Sequence, residues 1–164
     1  LMLLLESGLP LSFITVMVQK EVADRLCAPP GSPDYGAVTA AVRYYASAER
    51  LFRVSAGHFS PPPKVDSAVV RLTLHEKPPI SVQSKDLLFR VIRAAFAQRR
   101  KTLVNALASA FPAFSKESLS AVLGALGLPE NIRGERLSLE EFAALADRLT
   151  GKSEVSPSNT PVKD

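Results

Sequence analysis

The chain has a single cysteine, Cys27, among 164 residues, which excludes an internal disulfide and any cysteine-rich metal site. A reducing, cytoplasmic setting fits that usage, and Cys27 reads as a small buried hydrophobe on a helix. The two histidines, His58 and His75, have no second histidine or cysteine at ligand spacing, so no metal site is expected. Long apolar runs are also missing. Leu1 to Leu5 is apolar, but Glu6, Ser7, Gly8 and Pro10 stop the run far short of the roughly 20 residues a membrane span needs. No basic flank or small-residue cleavage site marks a secretory leader. No glycine-rich turn leads from a strand into a helix, since Gly124 and Gly127 stand in a helix-ending context; a phosphate or cofactor cradle of that kind is excluded from the chain. There is no internal repeat.

What is present is a chain with 46% hydrophobic residues, enough for one sizeable core or a core plus a small appendage. Leu1 to Leu5 reads as the middle of an amphipathic helix with no cap or turn before it, from which a preceding domain is expected. Phe13 to Val18 (FITVMV) is continuously apolar and β-rich, as in a strand covered on both faces. Lys20 to Cys27 looks helical, and Pro29-Pro30-Gly31-Ser32-Pro33 is a loop. Tyr35 to Tyr45 repeats apolar residues at helical spacing. Arg50 to Ser55 and Ser67 to Leu74 read as strands close enough to pair antiparallel. These elements form a half-sheet with helices that needs other strands to close its core.

After Glu76-Lys77-Pro78-Pro79 the composition becomes purely helical, with amphipathic segments over 84–110, 115–126 and 138–149. Ser138 and Glu141 form a capping box at the start of the last one. From Gly151 apolar periodicity ends, and residues 151–164 are expected to be a disordered tail.

The net charge of +4 is unevenly spread: Lys85, Arg90, Arg93, Arg99, Arg100 and Lys101 stand against a single Asp86. At 100° per residue, with Arg93 at zero, Arg100, Arg90 and Lys101 fall between about −20° and +80°. Leu88, Ile92, Phe96 and Leu103 fall between about −140° and −60°, an adjacent core face. Arg99 falls at about −120°, inside that core face, unless the helix kinks around Gln98. A buried arginine needs a carboxylate. Asp66 or Glu21 is the expected partner, locking the helical part to the half-sheet. The run Arg99-Arg100-Lys101 is either a solvated charge run or a phosphate-contacting patch, and composition does not choose between them.

One run remains: Phe59-Ser60-Pro61-Pro62-Pro63-Lys64-Val65-Asp66-Ser67, a proline corner leading from an aromatic residue into an apolar strand. Pro61 and Pro63 fix φ and lower the entropy cost of holding the ring of Phe59. Asp66 and Ser67 suit anchoring of the corner through backbone hydrogen bonds. Without further context, Phe59 also fits an ordinary core position.

Four segments resemble a known family: VMVQKEVADRL (Val16 to Leu26), YGAVTAAVRYY (Tyr35 to Tyr45), HFSPPPKVDSAVVRL (His58 to Leu72) and AFAQRRKTLVNAL (Ala95 to Leu107). Together they are similar to the ribosomal RNA adenine dimethyltransferases of the KsgA type, in order from Leu1 to about Leu149. The proline corner is shared with erythromycin-resistance enzymes and mitochondrial transcription factor relatives, whereas QRRKTL with the following NAL points to KsgA.

The resemblance implies an α/β plus all-α protein: residues 1–78 as the C-terminal part of a Rossmann-like methyltransferase sheet, and 79–150 as a small helical rRNA-binding domain. It implies transfer of methyl groups from S-adenosylmethionine to two adjacent adenines near the 3′ end of small-subunit rRNA, during ribosome biogenesis in the cytoplasm. No metal, membrane or obligate protein partner is implied. Phe59 would stack on the extruded adenine, supported by Pro61, Pro63, Asp66 and Ser67. Arg99, Arg100, Lys101 and Arg133 would contact rRNA. The family's cofactor-binding and amine-gripping motifs belong upstream of Leu1, so this chain alone is expected to be inactive. Two alternatives are a non-catalytic rRNA-docking module and an erythromycin-resistance-type methyltransferase.

Overall fold

The computed structural model describes residues 1–153. Alternation of apolar side chains builds its sheet from β1 (Phe13–Gln19), β2 (Ala46–Val54) and β3 (Ser67–Leu74). β3 lies in the middle and is antiparallel to both neighbours. Met17 of β1 and Phe52 of β2 both stand opposite Val69, and β2 carries a bulge between Arg50 and Phe52. The expectation that FITVMV is covered on both faces is not met. Ile14 is buried, but Phe13 is 59% and Met17 53% exposed. The helices of this chain that pack on the sheet leave its second face open, so the run alternates like a strand with one wet face.

The covered face carries Ile14, Ala68, Val70 and Leu72, packed with Leu5 of α1 (Met2–Glu6), Ala23 and Leu26 of α2 (Lys20–Cys27), and Val42 of α3 (Ala37–Tyr45). Cys27, at the end of α2, is half-buried, and burial pushes its thiol up. α3 is shared between two cores: Val42 joins the sheet core while Ala40 and Tyr44 join the helical one. The helical core also takes in Ala28 and Tyr35, so its wall extends upstream of residue 79.

The helical part comprises α4 (Lys85–Ala97), α5 (Leu103–Ala110), α6 (Lys116–Ala125) and α7 (Leu139–Ser153). Its caps are local and polar. Ser84 Oγ accepts from Leu87 N at 3.2 Å and Ser115 Oγ from Ser118 N at 3.1 Å. At α7, Ser138 Oγ accepts from Glu141 N at 3.2 Å while Glu141 Oε2 accepts from Ser138 N at 2.8 Å, a reciprocal capping box.

The helix expected over 84–110 is two helices. α4 ends at Gln98, whose φ of −128° and ψ of 71° leave helical space, and α5 restarts after Thr102. The amide of Leu103 donates to the Ile132 carbonyl at 2.8 Å, so a distant loop satisfies the new N-terminus. At the other end, α7 runs through residues 151–153, the first three of the expected tail; the rest of that tail lies outside the described residues. No helix among the described residues is long and apolar enough to cross a membrane.

Candidate functional site

β2 leaves the sheet at Val54 and enters a short 3₁₀ turn, Ala56–His58, before the chain reaches Phe59. The turn is closed by His58 N donating to the Ser55 carbonyl at 3.1 Å and Phe59 N to the Ala56 carbonyl at 3.2 Å. Pro61, Pro62 and Pro63 then carry the chain, exposed, around to β3, with a cis Ser60–Pro61 bond. Asp66 holds the two arms together. Its Oδ1 accepts from Ala56 N at 2.9 Å, and its Oδ2 accepts from Arg53 Nε at 2.9 Å and from Arg53 Nη2. The Ala56 amide, then the Arg53 guanidinium, hold this carboxyl below its ordinary value of 3.8. The Asp66 carbonyl also accepts from Lys20 N at 2.9 Å, which ties the corner to the start of α2. Ser67 sits between Gln19 and Val54 as the first rung of β3.

Phe59 is half-buried, yet it packs into neither hydrophobic cluster and makes none of the ring–ring contacts seen among the described residues. Phe96 and Phe142, by contrast, pack against each other in the helical core. The corner therefore presents Phe59 rather than burying it.

A second group forms at the α4–α5 turn. Arg99, Arg100 and Lys101 are all exposed there, outside either helix. The Leu103–Ile132 hydrogen bond brings the loop carrying Arg133 against the start of α5, so Arg133 and Lys101 flank one bond. Among the described residues, Arg90, Arg93, Arg100, Lys101 and Arg133 have no carboxylate at ion-pair distance. Arg90 instead lies over the Phe111 ring, 5.1 Å from its centroid.

Arg99 departs from expectation. Neither Asp66 nor Glu21 pairs with it: Asp66 is held by Arg53, and Glu21 accepts from Arg25 at 2.9 Å on its own helix. Arg99 is not buried either, its side chain being 56% exposed, because the break at Gln98 swings it off the apolar face. A straight helix would have put an uncompensated guanidinium among Leu88 and Ile92, at a cost of several kcal/mol. Its Nη2 donates to the Pro33 carbonyl, and its Nε lies 3.8 Å from Glu135 Oε2.

The structure thus gathers Phe59, Pro61, Pro63, Asp66 and Ser67 at one end of the sheet, and Arg99, Arg100, Lys101 and Arg133 around the α4–α5 turn. No hydrogen bond or ion pair among the described residues links the two groups directly. Sequence reasoning missed Arg53, Gly31, Gly134 and Glu135. Arg53 emerges only with the strand register that sets it opposite Ala68, past the bulge in β2, and the others act through tertiary approach and leave no local signal.

The described residues include no glycine-rich strand-to-helix turn of the kind that holds S-adenosylmethionine. The direct passage from strand to helix, Gln19 to Lys20, contains no glycine, and the positive-φ glycines Gly8, Gly31 and Gly127 lie after helices α1, α2 and α6.

Residues 1–150 match the family model of ribosomal RNA adenine dimethylase. The chain is 51% identical over 151 residues to ribosomal RNA small subunit methyltransferase A of Lachnoclostridium phytofermentans, covering 91% of this chain and 52% of that protein. It is 48% identical to the protein of that name from Geobacillus thermodenitrificans, with the same coverage. The chain therefore spans about half the length of the curated relatives it matches. Among solved structures, a dimethyladenosine transferase from Plasmodium falciparum superposes with a TM-score of 0.78 at 25% identity, over 93% of this chain and 62% of that one. The 23S rRNA methyltransferase ErmE, at 21% identity and a TM-score of 0.60 over 89% of this chain and 57% of its own, shares the fold. The architecture is part of a Rossmann-like methyltransferase sheet with its helical region, and the chain belongs to the ribosomal RNA adenine dimethylase family.

Proposed function

We propose that the protein carrying this chain is an S-adenosylmethionine-dependent rRNA adenine dimethyltransferase acting on two adjacent adenines near the 3′ end of small-subunit rRNA, on assembling subunits in the cytoplasm. Within it, these residues supply the platform for the target base and part of the rRNA-docking face. One observation carries the reading: a phenylalanine outside both hydrophobic clusters, held on a proline corner that Asp66 pins to Ala56 and Arg53. An enzyme that modifies an adenine amine must take the base out of its stack, and a fixed ring face receives it at little entropic cost.

Pro61 and Pro63 restrict the corner, Asp66 fixes its two arms, and Ser67 anchors it as the first rung of β3. Arg100, Lys101 and Arg133 are free of ion pairs among the described residues, so their charge is available to neutralise phosphates. Because the described residues form no cradle for the methyl donor, the 164-residue chain alone is expected to dock without methylating; Arg100 and Lys101, without ion-pair partners among the described residues, favour that binding-only reading for the isolated chain.

The test is methyl transfer from labelled S-adenosylmethionine to unmethylated small subunits, by the full gene product and by the 164-residue chain. Incorporation at adjacent adenines of the small-subunit rRNA by the full product supports the assignment. A full product that modifies no adenine there overturns it.

A further inference from the structure

The turn that carries Arg100 and Lys101 is tied to the sheet half through the Arg99 side chain. Arg99 Nη2 donates to the Pro33 carbonyl in the loop between α2 and α3, while its Nε faces Glu135 Oε2 at 3.8 Å. Glu135 is held from the other side as well, since its carbonyl accepts from Gly31 N at 2.7 Å. The loop 29–33 and the 134–136 turn therefore hold each other by a backbone bond, and one guanidinium bridges both.

The fit around this junction is close. A Cβ on Gly134 would stand 2.7 Å from both the Cβ and the carbonyl oxygen of Ala95, and one on Gly31, whose φ is +83°, would meet the Arg136 guanidinium at 3.3 Å. Tyr35 is buried edge-on against Phe96 with ring centroids 5.6 Å apart, fixing the end of the same loop to α4.

A chain of bonds runs from this junction to the base platform. Gly36 N donates to Thr39 Oγ1 at 3.2 Å, and the buried Thr39 hydroxyl donates to the Arg25 carbonyl at 2.7 Å, near the end of α2. At the start of α2, Lys20 N donates to the Asp66 carbonyl. α2 thus acts as a rod roughly 12 Å long between the loop and the corner.

Resting on the function proposed above, we infer that Arg99 is a positioning residue: by clamping Pro33 and Glu135 it sets the placement of the rRNA-docking turn relative to Phe59, and it does not itself neutralise a phosphate. A planar guanidinium with separate donor edges can reach both partners, whereas a lysine is a single point charge. The pair is too exposed to matter much for stability. Its consequence is alignment, where an error of about 1 Å can cost on the order of 100-fold in rate.

Two substitutions separate the clamp from a phosphate contact, measured in the full gene product by methylation kinetics, rRNA affinity across a salt series, and hydrogen exchange of the Gly31 amide. Arg99→Lys keeps the charge but loses the bridge. It is expected to lower kcat on the order of tenfold while affinity and salt slope stay at wild-type values. Glu135→Gln is expected to lower kcat likewise. In both variants the Gly31 amide exchanges faster than in wild type while amides of α7 do not.

A phosphate-contacting Arg99 predicts the reverse: lysine preserves the rate, and removing the Glu135 carboxylate tightens rRNA binding. Either result, or unchanged Gly31 exchange in both variants, overturns the clamp. If the wild-type product methylates nothing, the functional reading falls, and the clamp stands or falls on Gly31 exchange alone.

Discussion

Phe59 and Asp66 do separate jobs, and substitutions pull them apart. Phe59 contributes little to either core, so Phe59→Ala is expected to leave the urea midpoint near wild type. The same change should lower kcat/KM of the full product by about 5- to 150-fold, the equivalent of about 1–3 kcal/mol of base stacking. A midpoint that collapses with the activity would mark Phe59 as a structural residue instead. Asp66 makes a pH-dependent contribution. Because its folded carboxyl sits below 3.8, the unfolded chain binds the proton first as pH falls. The stabilisation is therefore complete above that ordinary value and is lost as pH drops through the lower folded value. Asp66→Asn should be less stable than wild type by a constant margin from neutral pH down to about pH 5, with the two curves converging toward pH 2. Urea titrations across that range check it; parallel curves down to pH 2 would show that the carboxylate charge is not what holds the corner.

Between elements, the closest approach is that of the 134–136 turn to α4. Gly134→Ala would force its Cβ against the backbone of Ala95, and because the obstacle includes a carbonyl oxygen the helix itself has to move. A loss of about 1–3 kcal/mol is expected, read as a lower thermal or urea midpoint; a neutral Gly134→Ala would mean that the turn can shift freely. Nothing in the sequence around Gly134 announces this, since the constraint comes from residues almost forty positions away. The same distinction decides what was legible elsewhere. The Ser138–Glu141 capping box is a bond between residues three apart, and the antiparallel β2–β3 pair follows from the short corner between them, so both could be read from the chain. The break at Gln98 was legible only as a kink that would carry Arg99 off the apolar face; what fixes it is tertiary, since the Leu103 amide is satisfied by Ile132 on another loop. Asp66 and Phe59 were legible as a motif, but the partner Arg53 emerged only with the strand register.

At the scale of the molecule, charge and apolar surface lie in different places, and each predicts a solution behaviour. The cationic turn predicts salt-dependent docking: Arg100→Ala/Lys101→Ala should weaken binding to small-subunit rRNA and reduce the salt slope by about one to two units. An unchanged slope would return the turn to being a solvated surface. The open face of the sheet predicts association. Met17 and Phe52 are 53% and 58% exposed and both stand opposite Val69, so one apolar row crosses all three strands. Phe13 extends that face, shielded in part by Arg71, whose guanidinium lies 5.7 Å from its ring centroid. Among the described residues β1 pairs only with β3, so its other edge also offers unsatisfied backbone donors and acceptors beside the row. An apolar row next to a free edge is the combination that recruits another strand. The 164-residue chain is therefore expected to sediment above its monomer mass, with Met17→Lys/Phe52→Lys restoring the monomer while far-ultraviolet dichroism is unchanged. Lysine at these sites removes the apolar row but leaves the backbone edge intact. A double variant that still self-associates would therefore place the driving force in the edge, and a wild-type chain that sediments as a monomer and melts cooperatively would show that the open face is stable in water as it stands.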